Sequence, residues 1–495
     1  MAQQSTISRR QFVQTTAATS LALAGVGLGR PASAQLTRPN IVFIMADDLG
    51  YADVSCYGQR DYTTPNIDRL AIEGLKFTQA YSNSPDCSAT RVALITGRYQ
   101  YRLAVGLEEP ISPPPLSPKD AGLPPSHPTL PSLLKKAGYG TALVGKWHLG
   151  NLPNFSPLKS GYDHFFGIFG SAADYFNHGA GALQAYPLPI PGLASQLHEQ
   201  EVPVERVGYM TNLLGDRAVQ MVEGYARAKE PFLLSVHFTA PHWPWEGPDD
   251  EAESRRIRNL LHRDGGTQRT YAAMVQSLDA NIGRVLQALD VSGVASNTIV
   301  VFTSDNGGER FSNMWPFSGM KQELLEGGLR VPAIMRWPGR IAAGSVSEQV
   351  MATMDWLPTL LAAAGTSPDA AYSSDGEDLG PIVTGRAPPH PRKLFWRYKF
   401  GSQRAVRDGN LKYLRIQGNE FLFDVVQDPR ERANLKDREK AVFDRLKGDW
   451  EAWNGAILPE RVLPAFTLNA GNFLADHYGV TNPPPAAPSA GLPTK

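Results

Sequence analysis

Four stretches of this chain are predominantly apolar, and each runs into a polar cluster. Residues 41–46 lead into Asp47-Asp48, 141–144 into Gly145-Lys146-Trp147-His148, 232–240 into Pro241-His242, and 298–304 into Asp305-Asn306-Gly307. Short, mostly apolar runs of this kind, bounded by charged and glycine residues, suit strands covered on both faces, as in a parallel sheet. Between them, helical spacing of apolar residues predicts helices over 67–73 after Pro65, 130–136 after Thr129, 210–226 and 271–289. A further helix is expected to start at Cys87 and stop at Gly97. Strands alternating with helices imply an α/β fold, a large, mostly parallel sheet sandwiched by helices. Ligands bind such sheets outside the carboxyl ends of the strands, where all four polar clusters fall, so a single shared site is expected.

From about Lys393 the pattern shortens. Residues 394–398, 405–407, 411–415 and 420–425 alternate and are separated by turn signals, Asp408-Gly409 among them, and a helix follows over 439–453. This predicts a small C-terminal antiparallel-sheet subdomain. The expected organisation is a segment 1–34, a catalytic domain over 35–390, the subdomain over 391–480 and a Pro/Ala-rich tail over 481–495.

Composition narrows the partners. Among 495 residues, 48 basic and 48 acidic ones balance, and no basic tract stands out, so neither nucleic acid nor an anionic membrane surface is an expected partner. The N-terminus carries Ser8-Arg9-Arg10-Gln11-Phe12, an uncharged stretch and Ala32-Ser33-Ala34, the pattern of a twin-arginine export signal cleaved after Ala34. A periplasmic or secreted protein, carried by the Tat machinery and without a membrane span once mature, is the expectation. The two cysteines, Cys56 and Cys87, would by default pair in an exported chain.

Asp47, Asp48, Asp305 and Asn306 offer only hard oxygen ligands from two strand ends, as Ca²⁺ or Mg²⁺ requires, and no Cys/His set suits zinc. Lys146 and His148 are two apart on an extended segment and so face the same way. Cys87 and Arg91 are four apart at the start of a helix, where backbone N–H groups and the dipole favour an anion.

Cys87-Ser88-Ala89-Thr90-Arg91, followed by Thr96-Gly97-Arg98, resembles the signature of the sulfatase family, the formylglycine-dependent branch of the alkaline-phosphatase superfamily. It differs from the commoner pattern at Ala89, where proline is usual. Gly145-Lys146-Trp147-His148-Leu149-Gly150, Ala240-Pro241-His242, Gly319-Met320-Lys321 and the C-terminal Phe421-Leu422-Phe423-Asp424 extend the resemblance from about Asn40 to Leu435. It implies an alkaline-phosphatase-like fold and hydrolysis of aryl or carbohydrate sulfate monoesters. It also implies that a maturation enzyme oxidises Cys87 to formylglycine, whose hydrate is the nucleophile. Asp47, Asp48, Asp305, Asn306 and the modified Cys87 would hold the metal, calcium being favoured and magnesium possible. Arg91 and Lys146 would hold the sulfate, His148 would be the base, and His242 and Lys321 would contact the bridging oxygen. On this reading Cys56 is an inert buried thiol, His237 and His262 are ordinary polar or packing residues, and Ser171 is a weak further sulfate contact.

Two other readings stand beside it: a phosphonate monoester or phosphodiester hydrolase on the same scaffold, and a silent binding protein that keeps Cys87 as a thiol. Tyr57, Tyr99, Tyr101, Trp147, Trp243, Trp245 and Trp315 lie near the motifs as candidates for stacking on an aryl group or sugar ring, or for packing.

Overall fold

A computed structural model describes residues 38–112, 117–179, 195–257, 265–416 and 418–460. The export segment 1–34, the tail 481–495 and His262 lie outside the described residues. The strands of the main sheet are β1 (Asn40–Ala46), β2 (Leu75–Phe77), β4 (Gly140–Lys146), β5 (His164–Ile168), β6 (Leu197–Glu199) and β7 (Val202–Pro203), then β8 (Phe232–His237), β9 (Thr298–Ser304), β10 (Ala333–Arg336) and β11 (Ser345–Ser347). Their order is β11-β2-β10-β9-β1-β8-β4-β5-β6-β7. A short pair, β3 (Ala80–Tyr81) with β12 (Met351–Ala352), lies apart from it.

The centre, β9-β1-β8-β4-β5, is wholly parallel. Only strands outside that centre break the direction: β10 runs antiparallel to β9 and to β2, and β6 antiparallel to β5. The mostly apolar runs follow from burial on both sides. Val42 and Ile44 of β1 face one core, with Ile67 and Leu70 of helix α1 (Pro65–Glu73) and apolar residues of two later helices, Met210–Ala228 and Gln268–Val291. Ile41, Phe43 and Met45 face the opposite core, with Val92, Leu94 and Ile95 of α2 (Cys87–Thr96), Leu133 of α3 (Leu130–Lys136) and Trp356 from the helix Trp356–Ala363. Gly97 ends α2 in the left-handed conformation at φ 66°, as the glycine stop predicts.

Register decides where the polar clusters meet. Ala46 pairs with Ser304, and His237 pairs with both Met45 and Gly145, so the four predicted strands end nearly level. The run expected as one strand over 232–240 leaves the ladder after His237. Phe238 N–H still donates to Met45 O at 2.9 Å, and the chain then folds over the sheet end so that Ala240 O accepts from Asp47 N–H at 3.1 Å.

The C-terminal strands β13 (Lys393–Tyr398), β14 (Gln403–Asp408), β15 (Leu411–Ile416) and β16 (Asn419–Asp424) form an antiparallel meander. One face is covered by Phe443, Leu446 and Trp450 of the helix Lys440–Gly455, the other packs on Tyr81, Ala93 and Leu324. That packing brings the end of β13 to the start of α2, where Tyr398 OH donates to Asp86 Oδ2 at 3.1 Å.

Candidate active site

Three carboxylates and three cations lie buried together above the carboxyl ends of β9, β1, β8 and β4. Lys146 Nζ donates to both oxygens of Asp47, at 3.0 and 2.7 Å. Lys321 Nζ donates to Asp48 Oδ2 at 2.7 Å and lies 3.2 Å from Glu309 Oε1. Arg91 reaches Asp305 Oδ2 through Nε at 3.1 Å and Nη2 at 2.8 Å. Its other donors are also directed at protein acceptors: Asp47 Oδ1 lies 3.5 Å from Nη2, Lys146 O 3.1 Å and His237 Nδ1 3.4 Å from Nη1. Arg91 therefore stands behind the carboxylates, holding the one Asp305 oxygen Oδ2 with two N–H donors, rather than presenting a free fork.

The electrostatics report how crowded these charges are. Burial pushes Asp47 well above the usual carboxylate range, Asp305 and Asp48 adding to the effect against Lys146 and Arg91. Against the raising effect of burial, Arg91 and Lys146 hold Asp305 well below that range. Burial works against the ammonium groups too, but Asp47 holds Lys146, and Asp48 holds Lys321, above the ordinary lysine value.

The donor set fits a hard divalent cation. One ligand atom each from Asp47, Cys87 and Asp305 lies within 4.8 Å of the others. Asn306 Nδ2 donates to Asp48 Oδ1 at 2.7 Å and to Gly307 O at 2.9 Å; both partners are acceptors, which fixes that atom as the nitrogen. Its Oδ1 is then a buried carbonyl with no protein donor, beside three carboxylates. An orphaned acceptor there is costly unless a cation takes it.

Cys87 opens α2, and all ten residues of that helix are buried. Its Sγ lies 3.6 Å from Asp86 Oδ1. Burial pushes the thiol far above its ordinary value, Lys146 and Lys321 pulling down while Asp86 and Asp47 push up, so the unmodified side chain is a neutral thiol. Cys56 is also free, and burial pushes its thiol up as well. The default pairing of the two cysteines does not occur.

His148 sits at φ 55°, with its backbone N–H on Phe169 O at 2.9 Å. Its Nε2 lies 2.9 Å from Ile111 O, an acceptor only, so that nitrogen carries the proton and Nδ1 holds the lone pair. Nδ1 is buried and has no protein partner. Burial, followed by the Lys146 charge, pushes this imidazole far below its ordinary value, leaving a neutral base. Ser88 secures the arrangement, because its Oγ accepts from Ile111 N–H at 2.9 Å. His242 Nδ1 lies 2.6 Å from Trp243 O, and its Nε2 lies 3.6 Å from Asp48 Oδ2. Burial and the Lys321 charge keep this ring neutral also. The Lys321 loop is held from both sides: Gln322 N–H donates to Pro85 O at 2.9 Å, while Gln403 of β14 donates to Gln322 O at 2.7 Å and accepts from Leu324 N–H at 2.8 Å.

Every residue expected at the site from sequence, metal set and cationic set alike, thus falls in one cluster. Ser171 is half-buried and makes no hydrogen bond to the cluster among the described residues. Of the seven aromatics, only Trp315 is exposed, at 58%; the other six are buried. Sequence reasoning missed Glu309, Asp86 and the Arg91 contact of His237. Glu309, four residues past Asp305, was within reach of the motif; the other two depend on contacts no local pattern announces.

Comparison with known proteins gives this arrangement a context. The sulfatase family model matches residues 39–366, and the model for the C-terminal part of N-sulphoglucosamine sulphohydrolase matches residues 320–451. Mouse N-acetylgalactosamine-6-sulfatase is 35% identical over 412 residues, covering 80% of this chain and 76% of that protein. Mouse arylsulfatase J is 34% identical over 488 residues, covering 87% and 78%. The crystal structure of Ps i-CgsB in complex with k-i-k-neocarrahexaose superposes with a TM-score of 0.76 at 29% identity, covering 89% of this chain and 97% of that one.

Proposed function

This chain belongs to the sulfatase family and hydrolyses sulfate esters, and from that premise we propose that it acts on sulfated sugars through a formylglycine made from Cys87, with a calcium ion held by Asp47, Asp48, Asp305, Asn306 and residue 87. The observation that carries the reading is the coincidence of Cys87 with the orphaned Asn306 carbonyl and the three buried carboxylates. Magnesium is the alternative ion; the flexible set of carboxylates and one amide favours calcium. The likeness to an N-acetylgalactosamine-6-sulfatase and to a structure holding a neocarrahexaose supports a sugar substrate. Export by the Tat route to the periplasm or beyond belongs to the same proposal, on the strength of Arg9-Arg10 and Ala32-Ser33-Ala34.

The hydrated aldehyde would supply two hydroxyls on one carbon, one to bond sulfur and one to be deprotonated as sulfate leaves, and a cation held by Asp47, Asp48, Asp305 and Asn306 would lower the cost of ionising the first. The remaining roles fall to the chain's own groups. Lys146 and Lys321 place ammonium charge where the sulfuryl oxygens gather negative charge. Lys321 stays an ammonium group beside Asp48, so it can give a charged hydrogen bond to the departing oxygen and offset the negative charge that gathers there. The Nδ1–H of His242 is taken by Trp243 O, which leaves its Nε2 facing Lys321 and Asp48 to align that donor. His148 Nδ1 accepts the proton of the second hydroxyl. Arg91 keeps Asp305 and Asp47 in place.

Parallel assays with sulfate and phosphonate monoesters, together with carbonyl-specific labelling of the peptide containing residue 87, test the reading. Sulfate turnover with a labelled peptide is expected; faster phosphonate turnover, or full activity without a carbonyl, would overturn it. Leaving-group dependence then tests the division of labour. Lys321→Ala and His242→Ala are expected to lose roughly 10²–10⁴-fold in kcat/KM on alkyl or sugar sulfates, and much less on nitrophenyl sulfate. His148→Ala should instead release one burst of nitrophenol and stall, because its step follows departure of the alcohol. Equal losses on all substrates for the three variants, with no burst, would refute the assignment.

A further inference from the structure

His237 was expected to be an ordinary polar residue, yet the structure gives it a specific partner and a specific void. Its Nδ1 lies 3.4 Å from Arg91 Nη1, across 146 positions of sequence. Arg91 keeps its proton at any working pH, so the ring nitrogen facing it is the one with the lone pair, and the ring proton sits on Nε2. Burial, and after it the Arg91 charge, push the imidazole down to about 3, in keeping with a neutral ring. Nε2–H is buried and has no protein acceptor.

That N–H belongs to a side chain lining a small cavity on the inner side of Arg91. The cavity is walled by Phe43, Leu94, Ile95 and Leu130 and also lined by Trp147, Ser235 and His237. It offers about 10 Å³ to the centre of a water molecule, the space of a single water. Trp147 brings a second buried N–H, Nε1, with no protein acceptor. Ser235 Oγ, bonded to Tyr162 OH at 2.9 Å, keeps a lone pair to offer. The residues lining this water-sized space thus include two with a buried N–H that lacks a protein acceptor and one with a lone pair to offer, the partners an internal water needs, whereas two orphaned N–H groups left dry would each be costly.

We propose that His237 is a positioning residue for Arg91: its Nδ1 accepts one Nη1–H, while a single water held by His237 Nε2–H, Trp147 Nε1–H and Ser235 Oγ locks the ring from behind. The chain of contacts continues through the guanidinium to Asp305, so the ring and its water set the angle at which the Asp305 carboxylate faces the site. His237 acts through Arg91 and touches no substrate.

Two variants of the full protein separate this from a packing role. His237→Asn keeps an acceptor near the place of Nδ1, whereas His237→Leu fills similar space without one. His237→Leu is expected to lose roughly 10–100-fold in kcat, with KM changed by less than about threefold, and to bind calcium roughly tenfold more weakly; His237→Asn should stay within about threefold of the parent in all three. Both variants should lose similar thermal stability, since both disturb the same wall. The kinetic arm rests on the sulfatase reading; a crystal structure of the parent does not, and it should show one ordered water within hydrogen-bonding distance of His237 Nε2 and Trp147 Nε1. A dry cavity, equal kcat in the two variants, or kcat losses that simply follow the loss of stability would overturn the proposal.

Discussion

Cys87→Ala is expected to fold as the parent does and to lose sulfate-ester turnover by on the order of 10⁴-fold or more in kcat, the scale seen when a covalent nucleophile is removed. The expectation rests on two observations. The native thiol is neutral, held there first by burial, so the side chain as translated is no ready nucleophile. A thiolate, even if formed, could bond sulfur but carries no second hydroxyl with which to expel the sulfate afterwards. Alanine removes one small, buried atom group, which costs on the order of 1 kcal/mol in a packed site. Cys56 is the control: it is free and half-buried, and Cys56→Ala should keep both activity and melting temperature close to the parent's. Comparable losses of activity and stability in both variants would instead point to a structural role shared by the two cysteines.

Removing the metal should have the next largest effect. Thorough chelation is expected to bring turnover to background, with calcium, or less effectively magnesium, restoring it. Without a cation, Asp47, Asp48 and Asp305 repel one another in a buried space and the Asn306 carbonyl has no partner. The apo protein should therefore melt at a lower temperature. At a free calcium concentration about a hundred times its Kd, the ion contributes about 2.7 kcal/mol to folding. Chelation is a cleaner test than mutation, because Asp305 also neutralises Arg91. Breaking that buried pair costs about 3–5 kcal/mol, so activity lost in Asp305→Ala would mix a missing ligand with a loosened fold. Full activity in protein shown to be free of divalent metal would end the hypothesis.

Much of this was legible in the sequence, for a physical reason. Strands buried on both faces must be largely apolar, so β1, β4, β8 and β9 declared themselves, and the polar residues gather where the chain leaves their carboxyl ends. The order of those strands was not legible. Nothing local says that β8 lies between β1 and β4, since pairing is fixed by packing between distant segments. β2 and β3, three and two residues long, are too short for any period to show. β5 and β10 are apolar but brief, and only their neighbours in the sheet make them strands. The aromatics near the motifs are a case that the sequence left undecided. Proximity in sequence left stacking and packing equally open, and burial decides for packing: Tyr57 spends its hydroxyl on Phe77 O and Ala333 O, and Trp147 turns its ring into the core while Lys146 and His148 on either side of it face the site. His237 closes an apolar run and reads as filler until the fold sets it against Arg91.

The burial of α2 also fixes an order of events in the life of the chain. Cys87 is 2% exposed, within a helix that has no exposed residue. A second enzyme has to bring its own active site to within bonding distance of the sulfur, and a helix buried along its whole length leaves a macromolecule far less room there than a slender sulfate ester needs. The oxidation proposed here must therefore come before the sheet closes, during or just after synthesis. A carrier that moves folded cargo would then export a chain whose fate is already decided. Protein made without the maturation enzyme should stay inactive when that enzyme is supplied to the folded form, and should become competent only if it is unfolded, treated and refolded. Ready conversion of the folded thiol form would show that the helix opens far more easily than its packing implies.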